Sequence, residues 1–491
     1  MTLKSQAISS LFWRFFERGG SGLVAMLVQI VMARLLLPDD FGLLALLAVF
    51  VNIGSVFVQS GLNTALIQSP DEEEDDYSTV FWMSGAIAAV LFILIFLCAP
   101  LIAGFYGNEA LIWPLRALAL VLLLDAYNSV QIAKVTRDLE LRKTFNATLS
   151  AMVASGIVGI TAALLGAGLW ALVLQQLAYQ SVSCLALRLQ VEWRPRLVFK
   201  MSRARSLFAY GWKLLVSGLL NTGYQSLSTL IIGKQFSASE LGFVAQGEKY
   251  PQALGSTIDG AIQPVMLSTV ARIQNDRQAV KELTRRALKT SSFLVVPVMG
   301  ALAISAEPLI VLLLGEKWLP SVPFFQIYCF IWALYPVQTS NLQALNGIGR
   351  SDLFLRLEII KKTYGVIILC VAAFALHSIY AIVLGVALSS IISCFVNAFP
   401  NRYVIKYGYL EQVRDLAPAF FLTAISAVLP WLLSLWDLPD LLKVLACPTL
   451  MAALYLGAAK LLKVEELEYL IATMRELKSE RSSKRSQTEG N

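Results

Sequence analysis

Two long apolar runs near the start of the chain flank a short polar bend. Together they cover residues 19–68, and the bend lies at residues 34–42, with Pro38, Asp39 and Asp40 at its centre. Each run has about 20 residues, which is the length that a helix needs to cross a hydrocarbon core about 30 Å thick. The sequence therefore predicts two transmembrane helices joined by a tight turn.

The composition of the whole chain agrees with a membrane protein. Hydrophobic residues make up 57% of the 491 residues and charged residues 15%, whereas about 25% of the residues in ordinary soluble domains are charged. A chain this apolar cannot cover a globule with polar side chains, so we expect its solvent to be lipid. No cleavage site of small residues follows the first apolar run, and we interpret this run as a retained first helix rather than a signal peptide.

Fourteen apolar segments are candidate membrane spans, which predicts an all-α polytopic membrane protein. They lie at residues 11–37, 41–67, 79–104, 111–130, 144–166, 168–188, 207–233, 241–271, 290–314, 322–346, 362–376, 379–400, 417–436 and 441–462. If the N-terminus is cytoplasmic, 33 of the 40 Lys and Arg residues lie on the cytoplasmic side, and cytoplasmic segments carry such an excess. An even number of spans then places both termini in the cytoplasm.

The charges and cysteines exclude several kinds of site. The net charge is +7, but the basic residues lie between apolar runs and do not form one face, so we expect no nucleic-acid partner. The six cysteines lie singly inside apolar stretches, and no Cys or His residues have metal-ligand spacing. We therefore expect no metal, no disulfide and no cofactor.

The polar bend recurs 200 residues later in the chain. Residues 34–45, RLLLPDDFGLLA, align with residues 234–245, KQFSASELGFVA, so that Gly42 matches Gly242. Each copy lies between the first two helices of a six-helix set, and an even number of helices gives both sets the same orientation. Parallel repeats of this kind build transporters with a binding site between the halves.

The repeat predicts the domain organisation. We expect two pseudo-symmetric six-helix lobes, at residues 1–206 and 207–416. Two further helices at residues 417–463 and a cytoplasmic tail at residues 464–491 follow them. The acidic run at residues 71–76 is interpreted as a solvated loop, with an ion or partner site as the alternative.

Cations inside the predicted helices are the first candidate site residues. An ionised side chain at the centre of a membrane helix costs about 2.5–3.5 kcal/mol, so it must face a partner or a water-filled cavity. The clearest cations are Arg14 and Arg18 in the first helix, Lys213 in the seventh and Lys249 in the eighth. For Arg14 and Arg18 the alternative is snorkelling towards the membrane interface.

The eighth predicted helix is too polar to face lipid. It holds Glu248, Lys249, Asp259, two prolines and four glycines, and we expect it to line the interior of the protein. The alternative is a structural pair of Glu248 with Lys249, although adjacent residues of a helix point about 100° apart.

Other polar residues are candidates for contact with a substrate or a coupling ion. The substrate-binding candidates are completed by Asn221, Tyr224 and Gln225, and the coupling-ion candidates are Glu17, Asp125, Glu248 and Asp259. Polar stripes in other helices are explained equally well by hydrogen bonds between helices. Their residues are Gln29, Asn52, Gln59 and Asn63; Asp125, Asn128 and Gln131; and Asn341, Gln343 and Asn346. We interpret His377, the single histidine, as a surface residue.

The cations indicate the class of substrate. Cations at depth attract phosphate, and arginine can bind it through two parallel hydrogen bonds. An anionic headgroup attached to a lipid suits a site that is both charged and open to the bilayer.

Three stretches of the sequence resemble a known family. ARLLLPDDFGLLAL, QSGLNTALIQ and LLLGEKWLPSVPFFQIYC are similar to the polysaccharide flippases of the Wzx/WzxC type, in the multidrug/oligosaccharidyl-lipid/polysaccharide exporter superfamily. The resemblance implies two six-helix lobes around a cationic cavity, with alternating access. It implies transfer of undecaprenyl-diphosphate-linked oligosaccharide across the bacterial inner membrane for capsule, exopolysaccharide or O-antigen assembly. It also implies that Arg14, Arg18 and Lys249 meet the diphosphate.

The sequence thus predicts a flippase, with no catalytic residues and with polysaccharide polymerase or export machinery as further partners. One alternative is a cation-coupled multidrug antiporter on the same fold, for which Asp125 and Asp259 would be the coupling carboxylates. A second alternative is a membrane polysaccharide polymerase or ligase. Such an enzyme needs a large outer loop with paired charged residues, and the predicted outer loops are short.

Overall fold

The computed structural model describes residues 22, 24–59, 61–68, 73–472 and 475, and within these ranges the predicted all-α fold is confirmed. The helices of the N-terminal half are α1 (Val24–Leu35), α2 (Pro38–Gln59), α3 (Leu62–Gln68), α4 (Glu74–Tyr106), α5 (Ile112–Arg137), α6 (Leu141–Leu164), α7 (Leu169–Gln190) and α8 (Met201–Gln235). The following helices are α9 (Ala238–Ile273), α10 (Arg277–Ile304), α11 (Ala306–Leu314), α12 (Val322–Ala333), α13 (Tyr335–Gly347), α14 (Ser351–Cys370), α15 (Ile379–Ala398), α16 (Asn401–Val404), α17 (Tyr409–Ser434) and α18 (Asp440–Leu461). A last helical stretch covers residues 465–472.

Each predicted span from residue 41 onward coincides with one helix or with two consecutive helices. Gly61, with a φ of +66°, separates α2 from α3, because this left-handed conformation cannot continue a helix. Within the described residues, nine helices are long and apolar enough to cross a membrane. The polar helix α9 is not among them. In the first predicted span, residues 11–37, positions 11–21 and 23 lie outside the described ranges.

Residues 1–245 form one compact unit. Within it α6 packs against α7, α4 against α5, and α2 against both α5 and α8. One of its cores buries Leu62, Leu66 and Tyr77 together with Trp193, which lies in the segment between α7 and α8. This arrangement fixes α8, which carries several candidate residues, against α2 and α4.

Residues 246–491 form the second compact unit. Its central helix is α10, which packs against α12, α13, α17 and α18. Val280 and Leu288 of α10 are fully buried with Ala344 and Tyr407 in one core. The lobe boundaries derived from the repeat, at residues 206 and 416, stay predictions.

A chain of buried hydrogen bonds joins α13 to α16 and α17. The Asn341 side chain, which has no exposed surface, donates to Gln412 Oε1 at 2.9 Å. Asn341 Oδ1 accepts from Asn401 Nδ2 at 2.6 Å and from Gln412 Nε2 at 3.1 Å. Of the two explanations for the polar stripe in α13, Asn341 therefore supports hydrogen bonding between helices.

A buried carboxylate attaches α17 to α10. Asp415 is 6% exposed, and its two oxygens accept from Arg285 Nε at 2.7 Å and Arg285 Nη2 at 2.6 Å. The hydroxyl of Tyr407 donates to the same carboxylate at 2.8 Å. This bidentate pair has the geometry that makes charge-assisted hydrogen bonds strong.

We predict that Asn341→Leu destabilises the second unit, because it removes the amide that donates to the buried Gln412 Oε1 and leaves this oxygen without a donor. An unsatisfied buried group costs about 1–3 kcal/mol, so the midpoint of thermal unfolding in detergent is expected to fall. The matched control is Gln343→Leu, since Gln343 is half-buried and forms no side-chain hydrogen bond among the described residues. Equal midpoints for the two variants would contradict the structural role of Asn341.

Candidate functional site

The predicted site residues of the first helix are Arg14, Glu17 and Arg18. All three lie outside the described residues, so their roles stay predictions. The other candidates lie on α5, α8 and α9.

Helix α8 presents four of the candidates for substrate contact. Asn221 and Gln225 are four residues apart and share one face of the helix, with Tyr224 beside them. Lys213, Asn221 and Gln225 are exposed and Tyr224 is half-buried. Among the described residues, no hydrogen-bond or ion-pair partner contacts any of the four side chains.

Helix α9 separates its two adjacent charges. Glu248 accepts a hydrogen bond from the hydroxyl of Tyr328, which is buried on α12. The side chain of Lys249 is exposed, and no described residue forms an ion pair or hydrogen bond with it. The structural pair of Glu248 with Lys249, weighed as an alternative, is not formed. Lys249 is therefore a cation on a 36-residue helix that no described residue neutralises.

The two aspartates proposed as coupling carboxylates have similar surroundings. Asp125 on α5 accepts hydrogen bonds from the hydroxyl of Ser55 and the side-chain amide of Gln180. Asp259 on α9 accepts from the hydroxyl of Thr339 and, at 2.8 Å, from the amide of Gln263. Each carboxylate is held by one hydroxyl and one amide, which are neutral donors. Such a carboxylate can take up a proton or bind a cation without first breaking an ion pair.

The acidic run differs from the predicted solvated loop. Asp71 and Glu72 lie outside the described residues. Glu73 precedes α4 and the next three carboxylates form its first turn. They pair with cations at the end of the segment before α8 and in the first turn of α8. Lys200 Nζ lies 2.6 Å from Glu73 and 2.9 Å from Asp75. The buried Asp76 lies 3.3 Å from Arg203.

These pairs shift the pKa values of the groups outside the membrane. The hydrogen bond from Lys200 lowers the pKa of Glu73 below its usual value, and Glu73 raises the pKa of Lys200 to about 12. The contribution of Glu73 is therefore present above its unfolded pKa and is lost as the pH falls through the lowered value. The stabilising contribution of Lys200 is lost only as the pH rises through about 12. The ion pair of Lys200 with Glu73 is therefore fully formed across the physiological pH range.

Sequence reasoning missed a cation that joins two helix ends. Lys234, the last basic residue of α8, donates to the backbone carbonyl of Phe105 near the end of α4 and lies 4.5 Å from the centre of the Phe105 ring. Cations favour helix C-termini because the last carbonyls there lack partners. In the sequence, Lys234 aligns with Arg34 of the first bend. This alignment marks the position but does not show which residue Lys234 contacts.

Two cavities in the second unit contain none of the predicted site residues. A polar one of about 420 Å³ lies between α10 and residues 465–472, and its walls include Arg286, Lys289 and Glu466. An apolar one of about 380 Å³ lies between α10 and α18. Among the described residues, no group of three His, Cys, Asp or Glu side chains could hold a metal ion.

A family model described as polysaccharide biosynthesis protein matches residues 31–323, which is more than half of the chain. The chain belongs to this family. One relative is the lipopolysaccharide biosynthesis protein WzxC of Escherichia coli (strain K12), 22% identical over 445 residues and 89% of each chain. Another is the succinoglycan biosynthesis transport protein ExoT of Rhizobium meliloti (strain 1021), 22% identical over 69% of this chain and 68% of that one. The resemblance drawn from the sequence is confirmed.

Solved structures confirm the fold class. The lipid II flippase MurJ in its inward closed conformation has a TM-score of 0.73 at 13% identity and covers 92% of this chain and 99% of its own. An inward-facing multidrug resistance MATE transporter of the MOP superfamily has a TM-score of 0.58 at 14% identity, with 79% of this chain and 94% of its own covered. At these identities the likeness shows the fold alone.

Because Lys249 is exposed, chemical labelling can test whether its side chain meets water. A charged side chain on a long membrane helix is expected to meet water rather than acyl chains. We predict that the thiol of Lys249→Cys reacts with a water-soluble maleimide in intact membranes, as mass spectrometry of the labelled peptide would show. The control is Ser340→Cys, since Ser340 has no exposed surface. Equal protection of both thiols would place Lys249 against lipid or packed protein.

Proposed function

We propose that this chain moves undecaprenyl-diphosphate-linked oligosaccharide repeat units from the cytoplasmic to the periplasmic leaflet of a bacterial plasma membrane. The product would serve exopolysaccharide, capsule or O-antigen assembly. The observation that carries the proposal is Lys249, an exposed cation without a partner among the described residues, on a helix of a polysaccharide biosynthesis protein.

The relatives support the substrate class. WzxC is named for lipopolysaccharide biosynthesis, ExoT for succinoglycan transport, and a further relative, TuaB of Bacillus subtilis (strain 168), for teichuronic acid biosynthesis. These polymers differ in their sugars. We infer that the shared cargo is the lipid carrier with its diphosphate, to which different repeat units are attached.

Charge and hydrogen-bonding capacity support a division of roles within the site. Lys249 and Lys213 would bind the diphosphate, because ammonium groups bind phosphate oxygens strongly where water is scarce. Asn221, Tyr224 and Gln225 carry donors and acceptors that suit sugar hydroxyls. Arg14 and Arg18 would add to the cationic group.

We assign to carboxylates the coupling of transport to the movement of a proton or cation. Asp125 and Asp259, held by neutral donors, would take up a proton or a cation as the transporter changes state, and Glu17 and Glu248 are further candidates. The same observation is what favours the second function, a cation-coupled antiporter of small molecules. That alternative does not account for the exposed cations of α8 and α9.

The proposed orientation in the membrane follows from the distribution of Lys and Arg, and the proposed partners follow from the use of the product in polymer assembly. Both termini would lie in the cytoplasm, and two six-helix lobes at residues 1–206 and 207–416 would alternate in access. The partners would be the polymerase and export machinery that consume the flipped repeat unit. A polymerase or ligase activity in this chain would instead need catalytic residues in an outer loop.

The test is deletion of the gene, followed by complementation and chemical analysis of lipid-linked intermediates. We predict that Lys249→Ala restores less polymer than the unaltered chain by about tenfold or more, because one hydrogen bond to a charged group contributes about 1.5–3 kcal/mol and 1.4 kcal/mol is tenfold in affinity. Lys249→Arg should retain most of the function, since it keeps the charge.

The matched control is Lys443→Ala, at the start of α18, where the cation has no ion pair among the described residues. It should restore normal polymer. Normal polymer from Lys249→Ala at equal protein abundance would remove this residue from the mechanism. Unchanged polymer and no accumulated lipid-linked intermediate after deletion would contradict the proposed function itself.

A further inference from the structure

One face of α10 lines both cavities of the second unit. Every fourth residue from Glu282 to Leu302 lines one cavity or the other, and residues four apart share a face of a helix. The polar cavity, of about 420 Å³, ends at Thr290 on this helix, and the apolar cavity, of about 380 Å³, begins at Phe293. The two cavities therefore lie end to end, and together we call them the α10 groove.

The opposite wall of the α10 groove comes from α18 and the helical stretch after it. Residues 448–456 face the apolar cavity and residues 465–469 face the polar one. Lys289 Nζ lies 2.8 Å from Glu465 and 2.7 Å from Glu466, which attaches the last helical stretch to α10. The groove is therefore formed by the packing of the second unit itself.

The polar cavity has one cation and one anion that no described residue pairs. Two other cations of its wall, Arg285 and Lys289, are held by carboxylates. Arg286 is exposed and contacts the ring of Tyr469 at 5.0 Å, but it has no ion pair among the described residues. Glu282, four residues earlier, is also exposed and forms no ion pair within the described ranges. The cavity thus offers one positive and one negative group to a ligand.

The apolar cavity offers no free polar side chain. Pro297 lacks an N–H group, so the carbonyl of Phe293 has no partner within α10. The hydroxyl of Tyr455 donates to this carbonyl at 3.0 Å, and the other side chains that line the cavity are apolar. Leu294 and Val298 are exposed, so the cavity can be reached from the bilayer. Its chemistry suits a hydrocarbon chain.

The length of the apolar cavity matches one leaflet. From Thr290 to Leu302, α10 rises by about 18 Å, and half of a hydrocarbon core is about 15 Å thick. The polar cavity lies at the predicted cytoplasmic end of the helix. An acyl chain of a bilayer phospholipid therefore fits this length, whereas the longer undecaprenyl chain would extend beyond it.

We propose that the α10 groove binds one phospholipid with a zwitterionic headgroup, of the phosphatidylethanolamine type. Arg286 binds the phosphate, because a guanidinium forms charge-assisted hydrogen bonds with phosphate oxygens. Glu282 binds the ammonium group, and one acyl chain lies in the apolar cavity. A purely anionic lipid would place its charge near Glu282 without a group to pair with it.

This site is separate from the residues assigned to transport, and the proposal does not depend on what the chain transports. It is tested on the purified chain, stripped of lipid in detergent, by native mass spectrometry with three added lipids. Phosphatidylethanolamine has the phosphate and the amine, phosphatidylglycerol has the phosphate alone, and undecaprenyl phosphate has neither the amine nor acyl chains. We expect phosphatidylethanolamine to bind most tightly, with one site per chain.

Two substitutions separate the parts of the headgroup. Arg286→Gln should weaken phosphatidylethanolamine binding about tenfold, since it removes a charged hydrogen-bond donor. Glu282→Gln should weaken it several-fold and leave phosphatidylglycerol binding no weaker than before, because only the partner of the amine is lost. The matched controls are Arg277→Gln and Glu468→Gln, which change exposed residues outside the groove and should bind as the unaltered chain does.

A third substitution tests the apolar part. Ala452 lines the apolar cavity, whereas its exposed neighbour Ala453 does not. Ala452→Trp should fill the cavity and reduce binding of phosphatidylethanolamine about tenfold or more, whereas Ala453→Trp should leave it unchanged. Equal midpoints of thermal unfolding without lipid would show that both variants fold.

Three results would overturn the proposal. If no phosphatidylethanolamine binds, the groove is not a phospholipid site. If phosphatidylglycerol or undecaprenyl phosphate binds more tightly, the groove takes an anionic lipid or the carrier lipid instead. If phosphatidylethanolamine binds equally well to Arg286→Gln and Ala452→Trp, its site lies elsewhere. Each result is independent of polymer synthesis, because binding is measured on the purified protein.

Discussion

The cost of placing an ionised side chain among acyl chains constrains every charged residue of the membrane helices. Each such group costs about 2.5–3.5 kcal/mol at the centre of a membrane helix, so it needs a partner or water. Glu248 meets this requirement through Tyr328. Lys249 has no such partner among the described residues, and a phosphorylated lipid is the anion that we propose to supply it.

Local features of the sequence predicted most of the fold. Apolar length and polar interruptions belong to contiguous residues, and for this reason the predicted spans coincide with helices from residue 41 onward. The repeat was also visible, because Gly42 and Gly242 align without any knowledge of their contact. The structure adds that the aligned residues touch, which explains why both positions hold glycine.

Partners that lie far apart along the chain could not be predicted. Glu248 is bonded to Tyr328 on another helix, and Asn341 to Gln412, which is 71 residues away. Such pairs depend on how each helix is rotated about its axis, which hydrophobic periodicity alone does not determine. The acidic run shows the same limit, since Lys200 reaches Glu73 from the segment after α7.

The central claim is translocation, and the most direct measurement is the sidedness of the lipid-linked oligosaccharide. Spheroplasts from the deletion strain, with and without the restored gene, would be treated with a membrane-impermeant oxidant of vicinal diols, and the sugar of the extracted lipid would be analysed. If the chain is a flippase, the lipid-linked sugar is protected without the gene and oxidised once the unaltered chain is restored. Equal oxidation in both kinds of spheroplast would contradict it.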